Sequence, residues 1–273
     1  MRILCLLLLC AAAALAEDPP AYDITDIVQK IRSGTPAECV DAVAKLPPGK
    51  EERAAGPIAT RLKTETDGQV RAALRDALVA YKPEAIARAL KSPLDGKDTT
   101  DEFRTMALEI LAACKIPAAV DLVVAMAFKS EMKAMRDAAQ KQLIEYGNLS
   151  VEDTAAYVRA PDQKVANEAV AVLKAIDTEP AAKQLVHFLV VGSEKELLRI
   201  VGITNATREE VIKALIEMGD EAAPALIAGL DSNQHQQWCS YVLQKISGEF
   251  HTQKDKAGWL GWWKRRLAEK AGR

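Results

Sequence analysis

The chain has few aromatic residues, few glycines and almost no net charge. Aromatics make up 5% of its 273 residues, and the formal charge at pH 7 is −2. That balance excludes the positive field on which nucleic-acid binding depends. Only three histidines are present, His187, His235 and His251, at no metal-ligand spacing. No G-x-S-x-G elbow, H-E-x-x-H pair or phosphate-cradling glycine loop occurs. Carboxylates are plentiful, but they read as helix caps and solvated faces, and no paired acid and base stands out. Nothing nominates a catalytic residue, a cofactor or a bound metal. Beyond the first residues, three cysteines remain: Cys39, Cys114 and Cys239. An odd number cannot pair completely within one chain, so they read as small buried hydrophobes.

What the chain does have is alanine, leucine and a period. The stretch Val70-Arg71-Ala72-Ala73-Leu74-Arg75-Asp76-Ala77-Leu78 recurs in altered copies. Its last leucine aligns with Leu46, Leu111, Leu143, Leu173, Leu215 and Leu243, at steps of 32, 33, 32, 30, 42 and 28 residues along the series. Four residues before each marker stands Ala42, Leu74, Ala107, Ala139, Ala169, Val211 or Cys239. Positions four apart share one face of a helix, so each copy predicts a first helix with an apolar stripe. An arginine stands seven residues before the marker in four copies, as Arg71, Arg104, Arg136 and Arg208.

A second helix follows each marker. Pro57, Pro83, Pro117, Pro180 and Pro224 signal its start, because a first turn tolerates a missing amide. Apolar pairs then return at helical spacing, as in Ile86 and Leu90 or Leu226 and Leu230. Such a hairpin cannot bury its apolar face alone and must stack on its neighbours.

The V-R-x-A-A/L-x-x-A-L form of residues 70–78 and its copies resembles the HEAT-repeat family. The resemblance covers roughly residues 35–248. It implies an all-α, right-handed α-solenoid of about seven hairpins, with first helices on the outer wall and second helices on the inner one. It also implies a scaffold that holds a protein partner on the concave face, without catalysis. Arg61, Arg88, Lys183 and His187, on second helices, are then the first partner-binding candidates. HEAT-like lyases that handle bilin pigments make an accessory to an enzyme the rival reading.

Residues 1–16 read as a secretory signal peptide. Arg2 is the basic start, residues 3–15 are apolar, and Ala14-Leu15-Ala16 is a small-x-small cleavage site. The apolar run falls short of the ~20 residues a spanning helix needs. A lipobox reading at Cys10 meets a large Leu9. Localisation outside the cytoplasm is therefore expected. Residues 17–34 form a lead and a covering helix from Asp23 to Arg32, with Gly34 as its stop. Repeats are expected at 35–66, 67–93, 99–129, 130–160, from Pro161, 207–231 and from Ser232, with a polar loop at 94–98. Gly147 and Gly219 are expected to close first helices in left-handed stops. The long step before Leu215 marks an insertion at 193–206, with a capping box at Ser193 and Glu196. A second capping box is expected at Thr207 and Glu210. Asn148-Leu149-Ser150 and Asn205-Ala206-Thr207 match glycosylation sequons and read as chance matches or caps.

All four tryptophans lie between Trp238 and Trp263. Trp259, Trp262, Trp263 and Leu267 share one face of an expected helix over 257–270. That face reads as a cover for the open end of the array. The alternative is a cell-wall or membrane-surface contact, with Trp262 and Arg265 at its centre. The run Ile246-Ser247-Gly248 with Trp259 and Trp262-Trp263 looks like the ending of many exported bacterial HEAT-like proteins. Residues 249–273 are thus a Trp-rich closing segment. The leader reading has a direct check: N-terminal sequencing of the protein from its native envelope fraction is expected to begin near Glu17, and a start at Met1 would refute cleavage.

Overall fold

A computed structural model of the chain describes residues 23–96, 98–191, 205–232 and 236–272. The expected leader, the capping box at Ser193 and Glu196, and His235 lie outside the described residues. Among the described residues every regular element is helical and no strand occurs. No helix there is long and apolar enough to cross a membrane. The chain falls into two compact units, residues 1–99 and 100–273.

In the first unit, α1 (Ile24–Ser33) precedes two hairpins. The first is α2 (Pro36–Ala44) with α3 (Glu52–Thr64); the second is α4 (Gly68–Val79) with α5 (Pro83–Asp95). First helix packs on first helix, α2 on α4, and second on second, α3 on α5. The covering helix α1 lies on both α2 and α3, with Ile27 and Ile31 buried there.

The second unit repeats the pattern. Its hairpins are α6 (Asp101–Ala112) with α7 (Pro117–Lys129), then α8 (Lys133–Tyr146) with the short α9 (Val151–Ala156). Next come α10 (Gln163–Ile176) with α11 (Glu179–Val191), and α12 (Asn205–Met218) with α13 (Ala223–Gly229). The last pair is α14 (Gln236–Ser247) with α15 (Lys256–Ala271). Each first helix again packs on the next first helix, α6 through α14, and each second helix on the next second, α7 through α15. Within each unit, packing of a helix on its next-but-one neighbour is the arrangement of a helical solenoid.

The repeat stripe is what this packing buries. Leu74, Leu78, Ala107, Leu111, Ala139, Leu143, Ala169, Leu173, Val211, Leu215, Cys239 and Leu243 are all fully enclosed, at 0% exposure. Small residues in the earlier stripe position let neighbouring first helices approach. A further buried side chain follows three residues after most markers: Tyr81, Cys114, Tyr146, Ile176 and Met218. Two of these tie one hairpin to the previous one. The Tyr81 hydroxyl donates to the Glu51 carbonyl at 3.1 Å, and that of Tyr146 to the Leu111 carbonyl at 2.6 Å. Burial pushes the Tyr146 phenol well above its ordinary pKa, so it stays a donor. The three cysteines are buried, as small hydrophobes.

First and second helices start differently. Thr35, Asp67, Thr100 and Asp162 cap α2, α4, α6 and α10 by accepting backbone N–H bonds. Helices α5 and α7 have no side-chain cap but place Pro83 and Pro117 in the first turn, which removes one orphan amide. The repeat arginines serve varied ends. Arg136 donates to the carbonyls of Ser130 and Glu131, both at 3.0 Å, and so locks the turn into α8. Arg104 pairs with Asp101 at 3.2 Å, and the Arg208 guanidinium lies over the Trp238 ring.

Several local expectations are corrected. The Leu46 marker lies beyond α2, because Pro47 disfavours helical backbone in the residue before it; Leu46 is still buried. Pro57 lies inside α3, not at its start. Helix α5 continues through Pro93 to Asp95, so the loop is shorter than 94–98. Gly147 has φ 58° and ψ −129°, outside the left-handed helical region. Gly34 is extended; a Cβ there would meet the Lys30 carbonyl oxygen at 2.5 Å, so close approach explains the glycine. Thr207 stands inside α12, which begins two residues earlier, and it accepts from Gln163 instead of capping.

Truncating one buried marker leaves a void that its neighbours fill only in part. Leu111→Ala is expected to cost about 2–5 kcal/mol in urea unfolding. The exposed Leu267→Ala is expected to change stability by less than about 0.5 kcal/mol. Equal effects at the two sites would contradict the buried stripe.

Candidate functional site

Two of the four second-helix candidates meet in one place. In the first unit, a cleft of about 530 Å³ opens between α3, α5 and the end of α1. Helix α3 turns Ala54, Ala55, Ile58, Ala59 and Leu62 into the core. Its remaining stripe, Gly56, Thr60, Arg61 and Thr64, faces the cleft at helical spacing. From α5, Arg88 and Ser92 line the opposite wall, and Pro57, Ala89 and Pro93 make an apolar floor. Arg32, in the last turn of α1, supplies a third guanidinium. Among the described residues no carboxylate lines the cleft.

The arginines are held to different degrees. Arg61 Nε donates to Glu65 Oε2 at 2.8 Å, and Nη1 reaches the Arg32 carbonyl at 3.4 Å. The Glu65 carboxylate also accepts the backbone N–H groups of Asp67 and Thr66, at 3.0 and 2.9 Å. The Asp67 amide first, and Arg61 after it, hold Glu65 below its ordinary pKa against the opposing effect of burial. Arg61 is therefore a fixed post. Arg88 lies 3.7 Å from Glu52, an exposed pair beyond hydrogen-bond length. Arg32 makes no ion pair among the described residues.

Arg32 was not foreseen as a site residue. Its helix reads as a cover, and only the packing of α1 on α3 brings it beside Arg61. Lys183 and His187 lie elsewhere, in the second unit on α11. Both are exposed, and Lys183 is engaged by Glu179 at 2.7 Å.

Trp262 and Arg265 line a second cleft, of about 220 Å³, in the second unit. Arg265 is exposed and engaged at one nitrogen, and Trp262 is largely buried. Arg265 Nη2 donates to both Glu249 oxygens at 2.9 Å. Trp262 is only 6% exposed, and Trp259 is fully enclosed. The expected common face is corrected at one point: Leu267 is 46% exposed, so the buried stripe is confined to the first half of α15. His251 bridges the loop, with Nε2 3.0 Å from Glu249 and Nδ1 3.1 Å from Asp255. Its ring sits edge-on to Trp259, with centroids 4.8 Å apart. Arg266 and Lys270 grip Asp220 at 3.0 and 2.8 Å. Burial pushes Asp220 up, but the two cations more than offset it and leave the pKa lowered. The buried Trp259 indole N–H finds no acceptor among the described residues, a penalty set against the large ring area removed from water. This end is a stitched closure.

No family model and no curated protein matches this chain. Two engineered proteins of known crystal structure are similar to it. One aligns at 20% identity with a TM-score of 0.35, over 88% of this chain and 67% of its own. The other aligns at 16% identity with a TM-score of 0.30, over 91% of this chain and 97% of its own. Neither likeness is close enough to assign a chemistry.

The closure gives a pH expectation. Arg265 and then His251 hold the Glu249 carboxyl below its ordinary range; the Gly258 amide and then His251 do the same for Asp255. Both bind protons more weakly folded than unfolded. Their stabilising effect is complete above the ordinary carboxylate range and is lost as pH falls through the lowered folded values. Tryptophan emission is expected to hold steady from neutral pH to about pH 4 and to shift red below it. A shift already complete above about pH 5 would contradict this assignment.

Proposed function

We propose that this chain is an exported, non-catalytic scaffold that holds a protein partner on the second-helix face of its first unit. One observation carries the reading. Arg61 and Arg88, both on second helices, line the same open cleft and are joined there by Arg32. Stacked helical hairpins offer broad faces on which a partner can lie without any reacting group. Interfaces favour arginine because its planar fork binds in several directions while its stem covers apolar surface. The first-helix stripe is committed to the core, whereas the cleft stripe of α3 and α5 carries Thr60, Thr64 and Ser92 toward solvent. Export rests on the basic start, apolar run and small-x-small site of residues 1–16. The stitched closure at the C-terminal end leaves Trp262 little surface for a cell-wall or membrane contact.

Site-specific photocrosslinking tests the reading in the native cells. A benzophenone side chain at Thr60 or Ser92 is expected to give a discrete protein adduct, and the same probe at the exposed first-helix position Arg75 none. Adducts of equal yield at all three positions, or none at the cleft positions, would overturn it.

A further inference from the structure

We infer that the cleft between α1, α3 and α5 takes an acidic, extended peptide segment of the partner, its carboxylates on Arg32 and Arg88 and an apolar residue between them. The inference rests on the second-helix reading above and adds the chemistry of the occupant. Among the described residues three guanidiniums line the cleft and no carboxylate does, so an anion is favoured over a cation. Arg61 is already spoken for by Glu65 on one edge, and its Nη1 reaches the Arg32 carbonyl. Arg88 makes only the long 3.7 Å approach to Glu52. Among the described residues Arg32 therefore has no ion pair and Arg88 only that long one, which leaves donors whose forks match carboxylates in bidentate geometry. Thr60, Thr64 and Ser92 add hydroxyls that can donate to a peptide's carbonyls or carboxylates.

The occupant is better described as a peptide than as a compact phosphate. Phosphate sites usually recruit backbone N–H groups at a helix N-terminus or a nest. The residues here come from the body of α3, the second half of α5 and the last turn of α1, where amides are spent within the helices. The ends of α1 and α5 also present carbonyls, which weaken the field felt by a concentrated dianion. Among the described residues no aromatic side chain lines the cleft to stack a base. What remains is three guanidiniums and an apolar floor of Pro57, Ala89 and Pro93. An extended chain with alternating acidic and apolar residues matches that layout.

Fluorescence anisotropy on the full chain tests this, with a short labelled peptide of Glu interspersed with Leu as the probe. The Glu peptide is expected to bind, and the same peptide with Gln for Glu to bind about tenfold more weakly or worse. Arg32→Gln and Arg88→Gln are each expected to weaken the Glu peptide about tenfold. Both side chains are exposed and outside the core, so an unchanged circular dichroism melt is the accompanying control. Added salt should weaken binding, and inorganic pyrophosphate should compete poorly. Failure of the Glu peptide to bind, equal binding of the Gln peptide, or variants that bind as the parent would overturn the inference. Displacement by pyrophosphate at lower concentration than by unlabelled Glu peptide would replace it with a small-anion site. Should crosslinks form from Thr60 and Ser92 while the Glu peptide does not bind, the acidic occupant is rejected and the partner face stands. Loss of the crosslinks would fell the face itself.

Discussion

The structure depends on a contact between first helices of neighbouring hairpins. Within each unit, a leucine and, four residues earlier, a small or apolar residue stand buried on first helices that pack on one another. From Leu74 to Leu243 these pairs are wholly enclosed. Full burial of a leucine against exposure contributes about 1.5–3 kcal/mol, so the row of such contacts outweighs any single cap or ion pair. The contact is also local in sequence. Each hairpin needs only its neighbours, and the covering helix α1 is required because the first stripe would otherwise face water.

That locality decides what could be read from the residues alone. The markers from Leu78 to Leu243 were legible because a period of about three tens of residues is written directly in the chain. The helices α1 and α15 were legible as well, since amphipathic spacing marks both, and Ile27, Ile31, Trp259 and Trp262 are buried on them. Turn geometry was less so. Proline at Pro83 and Pro117 marks a helix start, but Pro57 sits within α3, where the buried run of Ala54, Ala55 and Ile58 extends the helix backward. Gly34 and Gly147 both stop helices, yet neither does so by the left-handed route. One is dictated by a close carbonyl and the other by a positive φ with extended ψ.

The cleft was half legible. Arg61 and Arg88 follow from their place on second helices. Arg32 does not, because its role is created by the packing of α1 against α3. Trp262 and Arg265 show the converse. Their residue types suggest a contact surface; Glu249 holds one nitrogen of the guanidinium, and the Trp262 ring is largely buried. An arginine's neighbours, more than its helix, decide whether its donors are free.

This division of labour also explains how such a fold can acquire binding chemistry. The residues that keep α3 and α5 in place are Ile58, Leu62, Ile86 and Leu90, all at most 3% exposed. The residues that give the cleft its charge lie on the other side of the same helices. Exposed substitutions away from caps and cores change stability by only about 0.5 kcal/mol. Arg32 and Arg88 are therefore free to vary with the demands of whatever lies against them. Arg61 is less free, since Glu65 and the turn amides of Thr66 and Asp67 are organised around it. A cleft with one fixed guanidinium and two adjustable ones can retain its place while changing its specificity.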